Sequence, residues 1–199
     1  MLISPLSEKA LAIPELGRAA IVRAAPGFNV IATANLRDRG VHEMSSALKR
    51  RFNFETVRPI ADPALERALI RQQLDRRLSA AGLRVATPDA TIDLLATTFQ
   101  DLRSGRTAEG VAVGRPETAM STAEAVNVVH AAALEAAFLD GGPATGAHVA
   151  RQMLGVVLKD DAEDARKFKA YVDAVGKERA RGGGEWRAFY EAARKLRTG

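Results

Sequence analysis

Near Pro59-Ile60-Ala61-Asp62 the chain changes character, and that change limits its architecture more than any other feature. Before it, β-branched and aromatic runs recur: Ile21-Val22, Phe28 to Thr33, and Phe54-Glu55-Thr56-Val57. After it, helix signals follow one another almost to the end. Asp62-Pro63 supplies an N-cap with proline at the first helical position. That helix is predicted to reach about Ala81 and to stop at Gly82. Thr87-Pro88 repeats the start, and Ile92, Leu95, Phe99 and Leu102 follow on one helical face. Ser104 to Glu117 reads as a polar connection. Ser121-Thr122-Ala123-Glu124 is a capping box, opening a helix through Ala125, Val129, Ala132 and Ala136 that Gly141-Gly142-Pro143 stops. Further helices are predicted from about Gly146 to Leu158, and after Asp160 and Asp161 with Phe168, Val172 and Val175 inward. A last one follows Gly182-Gly183-Gly184, with Trp186, Phe189, Tyr190, Ala193 and Leu196 on one face. The expected architecture is an α/β segment over residues 1–60, an all-α part over 61–158 and a basic helical extension over 159–199. The chain as a whole is predicted to be predominantly helical.

Within the first segment a hairpin is expected. Its strands are Ala10 to Pro14 and Arg18 to Arg23, with Glu15-Leu16-Gly17 turning the chain. Pro26-Gly27 breaks the chain before Phe28 to Ala34, which is apolar almost throughout. Such a run reads as a strand buried on both faces, as in a parallel α/β sheet. It ends at Asn35. A polar loop, Leu36 to Val41, leads to a short helix over Glu43 to Leu48, and Lys49-Arg50-Arg51-Phe52 closes it.

Bulk properties exclude several classes. The 199 residues suit one ordinary domain or two small ones, and 47% apolar content supports a packed core. There is no cysteine, hence no disulfide framework, no Cys-ligated zinc and no cysteine nucleophile. The N-terminus, Met1 to Glu8, does not read as a signal peptide. No apolar run approaches the roughly 18 residues a membrane span needs, so no membrane partner is expected, and the lack of cysteine fits a cytoplasmic protein. The net charge is +5. Residues 176–199 hold seven basic and three acidic side chains, which accounts for +4 of it. A solvated helix face is favoured there over a surface for an acidic partner, and nucleic acid is not the expected ligand. His42, His130 and His148 have no metal-ligand spacing.

Two short stretches carry a resemblance. Val30-Ile31-Ala32-Thr33-Ala34-Asn35 resembles the sensor 1 strand of AAA+ ATPases of the MoxR-like branch, and Leu48-Lys49-Arg50-Arg51-Phe52 follows at the family's distance. The resemblance implies the C-terminal part of a P-loop AAA+ core followed by a helical lid. It gives Asn35 the role of orienting the attacking water and contacting the terminal phosphate. It also implies an arginine finger acting on a neighbour's nucleotide, since guanidinium stays charged and donates in a planar fork. Arg51, just before Phe52, matches the finger position, Arg50 is the reserve, and the sequence does not separate them. A basic helix end, favourable with the helix dipole, is the plain alternative for both. Leu2 to Arg18 resembles the segment after a Walker B strand. A sensor 2 arginine is expected at the start of the third lid helix, but Ser121-Thr122-Ala123-Glu124 holds none, and Arg115 in the preceding loop is the substitute.

The family implies ATP and Mg2+, a ring of like or intact AAA+ subunits, and a protein client remodelled by hydrolysis. The main nucleotide-binding motifs are missing here. The one Gly-Lys pair, Gly176-Lys177, lacks the rest of a P-loop. Val156 to Asp161 superficially resembles a Walker B strand, but Lys159 interrupts it and its aspartates read as helix caps. The chain is therefore expected to begin too late for the phosphate cradle and not to hydrolyse ATP alone. The rival readings are a truncated ring partner that contributes only its finger and, third, a basic helical DNA-binding module.

Overall fold

The computed structural model describes residues 6–13, 15, 17, 20–33, 45–117, 120–157 and 161–196, with the backbone alone at 156 and 157. The chain divides into two compact units, Met1–Val57 and Arg58–Gly199.

In the first unit β1 (Ala10–Ala12) pairs antiparallel with β2 (Ile21–Arg23), Leu11 opposite Val22. The hairpin is shorter than its sequence signal, at three residues a strand. The expected buried strand is not formed over its described part, residues 28–33. Phe28 is exposed and Ile31 is 92% exposed. The reason is physical: a strand exists through the ladder it shares with a neighbour, and no described residue offers one here. The described parts therefore do not show a P-loop core. One turn of helix, α1 (Ser46–Lys49), follows, capped by Ser45, whose Oγ accepts the Leu48 N–H at 3.3 Å.

An isolated antiparallel bridge pairs Arg106 with Ala112, and the named elements of the second unit are helices. Its helices are α2 (Pro63–Ala80), α3 (Asp89–Ser104), α4 (Thr122–Glu135), α5 (Gly146–Val157), α6 (Ala162–Tyr171) and α7 (Gly184–Ala193). Local chemistry sets most ends. The Asp62 carboxylate accepts the Ala64 N–H at 2.8 Å, with Pro63 at the first position of α2. At the other end Gly82 takes φ +67°, and Leu83 N–H reaches back to the Leu78 carbonyl at 2.9 Å. Gly82 N–H also meets the Ser79 carbonyl, which completes a Schellman stop. Ser121 and Glu124 form the reciprocal capping box of α4. Asp161 caps α6 through the Glu163 N–H at 2.7 Å, which makes it a helix cap and not the end of a strand. Thr87-Pro88 differs from its expectation. Pro88 is the cap residue of α3, with no side-chain cap bond, and the buried Thr87 Oγ1 has no hydrogen-bond partner among the described residues.

A single apolar core runs through this unit. Ile70 and Leu74 of α2 meet Ile92, Leu95, Phe99 and Leu102 of α3 and Val129 of α4. The segment read from sequence as a C-terminal extension contributes Phe168, Tyr171, Val172 and Phe189 to the same core. Phe189 stacks edge-on against both Phe168 and Trp186, at 6.3 and 5.8 Å between ring centres. A π-helical turn, Ala136–Asp140, extends α4, and a second, Val172–Gly176, extends α6. Two short turns, Lys177–Arg179 and Ala180–Gly182, then lead to α7.

Candidate functional site

Asn35, the leading residue of the sequence reading, lies outside the described residues, as does the loop from Leu36 to Val41. Arg50 and Arg51 are described and exposed, at the C-terminal end of α1. Arg51 is held: its Nε donates to Ser7 Oγ and its Nη1 to the Ala47 carbonyl. The second bond satisfies a helix-end carbonyl with a cation, which suits the dipole. The Arg50 side chain makes no hydrogen bond or ion pair among the described residues. Arg115 is exposed in the loop between α3 and α4 of the second unit, also without a partner among the described residues. The structure thus keeps Arg50 and Arg51 together at one helix end.

The Gly176-Lys177 pair sits inside continuous helix, with Gly176 at φ −57°. Its amides are not fanned out as a phosphate cradle requires. Among the described residues no group of three or more His, Asp or Glu side chains is placed to hold a metal ion. None of their helices is long and apolar enough to cross a membrane.

The second unit holds polar clusters that no local motif announced. Glu66 of α2 is fully buried. Its carboxylate accepts Arg103 Nη2 and Thr122 Oγ1, each at 2.8 Å, and Gln100 Nε2 at 3.3 Å. Arg103 Nε also donates to the Met120 carbonyl at 2.8 Å, so α2, α3 and the start of α4 meet on one carboxylate. A second cluster surrounds Arg179. Its guanidinium donates to Asp101 Oδ2 at 2.7 Å, to Glu109 Oε2 at 2.9 Å and to Tyr171 Oη at 3.1 Å, and lies 4.8 Å from the Trp186 ring centre. Burial raises the Asp101 carboxyl above the usual range, against the pull of Arg179. Hydrogen bonds from Arg179 and Thr107 hold Glu109 down at about 2. Burial raises the Tyr171 hydroxyl. For Arg179 burial opposes the charge, but Glu109, Tyr171 and Asp101 outweigh it and the group is raised.

One cluster has the order of a nucleophile, a base and an acid. Thr145 Oγ1 lies 2.8 Å from His148 Nδ1, and His148 Nε2 lies 2.8 Å from Asp140 Oδ2. The geometry is that of a cap. Thr145 N–H donates to the same Nδ1 at 3.1 Å, so His148 reaches back from the third position of α5, as Glu124 does in α4. The ring is buried, at 5% exposure.

His130 on α4 gives a pH prediction. Burial lowers its pKa, and Arg77 of α2 adds to the effect. The unfolded chain then holds that proton more tightly than the folded one. Stability is expected to fall as pH drops through about 6.5 and to level off once the folded state is also protonated. Urea midpoints measured across that range should decline in the parent chain and stay flatter in His130→Gln. Equal slopes in the two would remove His130 as the cause.

The family of YehL-like AAA+ ATPase C-terminal domains matches residues 64–197. The AAA domain of the dynein-related subfamily matches residues 1–52. The chain is 42% identical over 199 residues to the "Uncharacterized protein YehL" of Escherichia coli strain K12, an alignment that covers 98% of this chain and 53% of that protein. It thus spans about half the length of the curated relative it matches. No solved structure matches. The match over 64–197 takes in every helix from α2 to α7, and on that ground the chain belongs to the YehL-like AAA+ ATPase C-terminal domain family.

Proposed function

We propose that the chain is the C-terminal portion of a MoxR-like AAA+ ATPase, in which nucleotide binding and hydrolysis in a ring of subunits drive remodelling of a client protein. The observation that carries this reading is the order of the two matches. An AAA domain over 1–52 is followed by the C-terminal domain over 64–197, with Val30 to Asn35 and Leu48 to Phe52 inside the first. Bound ATP with Mg2+ would supply the transferable phosphoryl group. Asn35 would orient a water toward it without adding negative charge near the phosphates. Arg51, with Arg50 as the alternative, would donate to the charge developing on a neighbouring subunit's phosphate. Arg50 and Arg51 are both exposed, so neither guanidinium is buried away from a neighbouring subunit. Neither a P-loop nor a Walker B strand is found in this sequence. The chain by itself is expected to bind nucleotide weakly at most and to turn over none.

Two measurements test this. The reading frame upstream of the Met1 codon is expected to encode a P-loop followed by an apolar strand ending in acidic residues. A stop codon there would favour a ring partner that contributes only its finger. In the ATP-hydrolysing assembly, Asn35→Ala and Arg51→Ala are each expected to lower turnover by about a hundredfold or more. Mixing Arg51→Ala subunits with Asn35→Ala subunits should restore part of the activity, because the finger acts in trans. Normal turnover in Asn35→Ala would remove the site assignment. A loss confined to Arg50→Ala would move the finger to that residue.

A further inference from the structure

The C-terminal end of the helical unit carries a groove. It has a volume of about 380 Å³ and is lined by Lys177, Ala180, Arg181, Arg187, Tyr190, Glu191 and Arg194, a size at the small end of ligand clefts. Four cations face one carboxylate. Lys177 and Arg181 come from the turns before α7, Arg187 from α7 and Arg194 from its C-cap. Residues 176–199 carry most of the chain's net charge, and four of their cations line these two walls.

We infer that this groove docks an acidic peptide segment of a partner protein. Four observations favour that occupant. Two of the cations already hold carboxylates in the bonding geometry: Arg181 Nη1 with Glu178 at 2.9 Å, and Arg187 Nε with Glu191 at 3.2 Å. Both pairs are largely exposed, so they contribute little and exchange readily for an incoming carboxylate. Lys177 and Arg194 make no ion pair among the described residues, so two charges remain to be matched. The walls are also pre-organised. Arg179 stands between Lys177 and Arg181, and its bonds to Asp101, Tyr171 and Glu109 pin that turn to α3 and α6. Nucleic acid is the less suitable occupant. Single-stranded binders stack bases on open aromatic faces, whereas Tyr190 is the one aromatic in the groove and Arg194 covers its ring at 6.0 Å.

The test uses the whole chain and a fluorescein-labelled oligoglutamate, read by anisotropy, with oligothymidylate as the competing probe class. The double variant Lys177→Glu with Arg194→Glu is expected to weaken oligoglutamate binding by at least about tenfold. All four groove cations are exposed, so helix content should be unchanged, and Arg181→Gln provides a milder second variant with a smaller loss in the same direction. Arg76→Glu with Lys169→Glu changes the net charge equally at exposed positions away from the groove, and is expected to change binding less than about twofold. Equal losses in the two double variants would mean that net charge alone attracts the probe and would overturn the proposal. Tighter binding of oligothymidylate than of oligoglutamate would overturn it in favour of nucleic acid. Absence of binding by either probe would overturn it outright.

Discussion

Gly146→Ala is expected to destabilise the helical unit by about 3 kcal/mol, towards the upper end for overpacking a core. Gly146 opens α5 where α7 crosses it. A Cβ there would lie 2.2 Å from the Glu185 carbonyl oxygen, 3.0 Å from its carbon and 3.1 Å from Phe189 N. All three are backbone atoms of α7, so no side chain can swing aside and the helix itself must retreat. That retreat would loosen Phe189, which is fully buried, and its edge-on contacts with Phe168 and Trp186. It would also strain the bond from Gly146 N–H to the Glu185 carboxylate. Trp186 is the only tryptophan, so its fluorescence reports unfolding of this unit directly. A midpoint lowered by roughly 10 °C is expected. Gly155→Ala in the same helix is the control. Nothing lies within 4 Å of its added Cβ, and alanine in place of an exposed helical glycine should add about 1 kcal/mol. Equal midpoints for Gly146→Ala and the parent would show that α5 and α7 do not approach as closely as described.

Glu66→Ala should cost about 4 kcal/mol, the range for breaking a buried ion pair by removing one partner. The loss has little to do with apolar packing. Arg103, only 14% exposed, would keep its charge and lose its carboxylate, while Thr122 and Gln100 would lose an acceptor. The pair need not be worth that much in itself, because bringing both charges out of water offsets most of their attraction. The double variant Glu66→Leu with Arg103→Met is therefore expected to recover most of the lost stability. Urea unfolding of the two single variants and the double variant gives the coupling directly. If the double variant is as unstable as the sum of the singles, the two side chains act independently and the network is misassigned.

These two sites show where sequence reading stopped. The helix ends at Asp62, Gly82, Ser121 and Asp161 were legible, because a cap is an exchange between residues two to five apart and its chemistry is written consecutively. The apolar face of α3 was legible for the same reason, since helical periodicity is a local property. Glu66 carried no such mark. It sits in a first helical turn, where acids are common on exposed surfaces, and its partners lie 34 to 56 positions away. Arg179 reads as one of seven basic residues in a charged tail, yet its carboxylate partners are 70 and 78 positions upstream. A sequence pattern shows that Gly182 to Gly184 interrupt a helix, but not that Gly146 lies against the backbone of α7.

The first unit makes the converse point. Phe28 to Ala34 has strand composition, and Val30 to Asn35 with Leu48 to Phe52 has a spacing that resembles an AAA+ segment. Composition is a property of the residues themselves, whereas a strand is a shared ladder that forms only beside a partner. The family, the order of a short mixed segment before a long helical one, and the capping of most helices were therefore contained in the linear chain, because each rests on neighbouring residues. Folding alone settled which charges are buried, which glycine touches backbone and which cations line a groove. Each of those depends on residues dozens of positions apart being packed together.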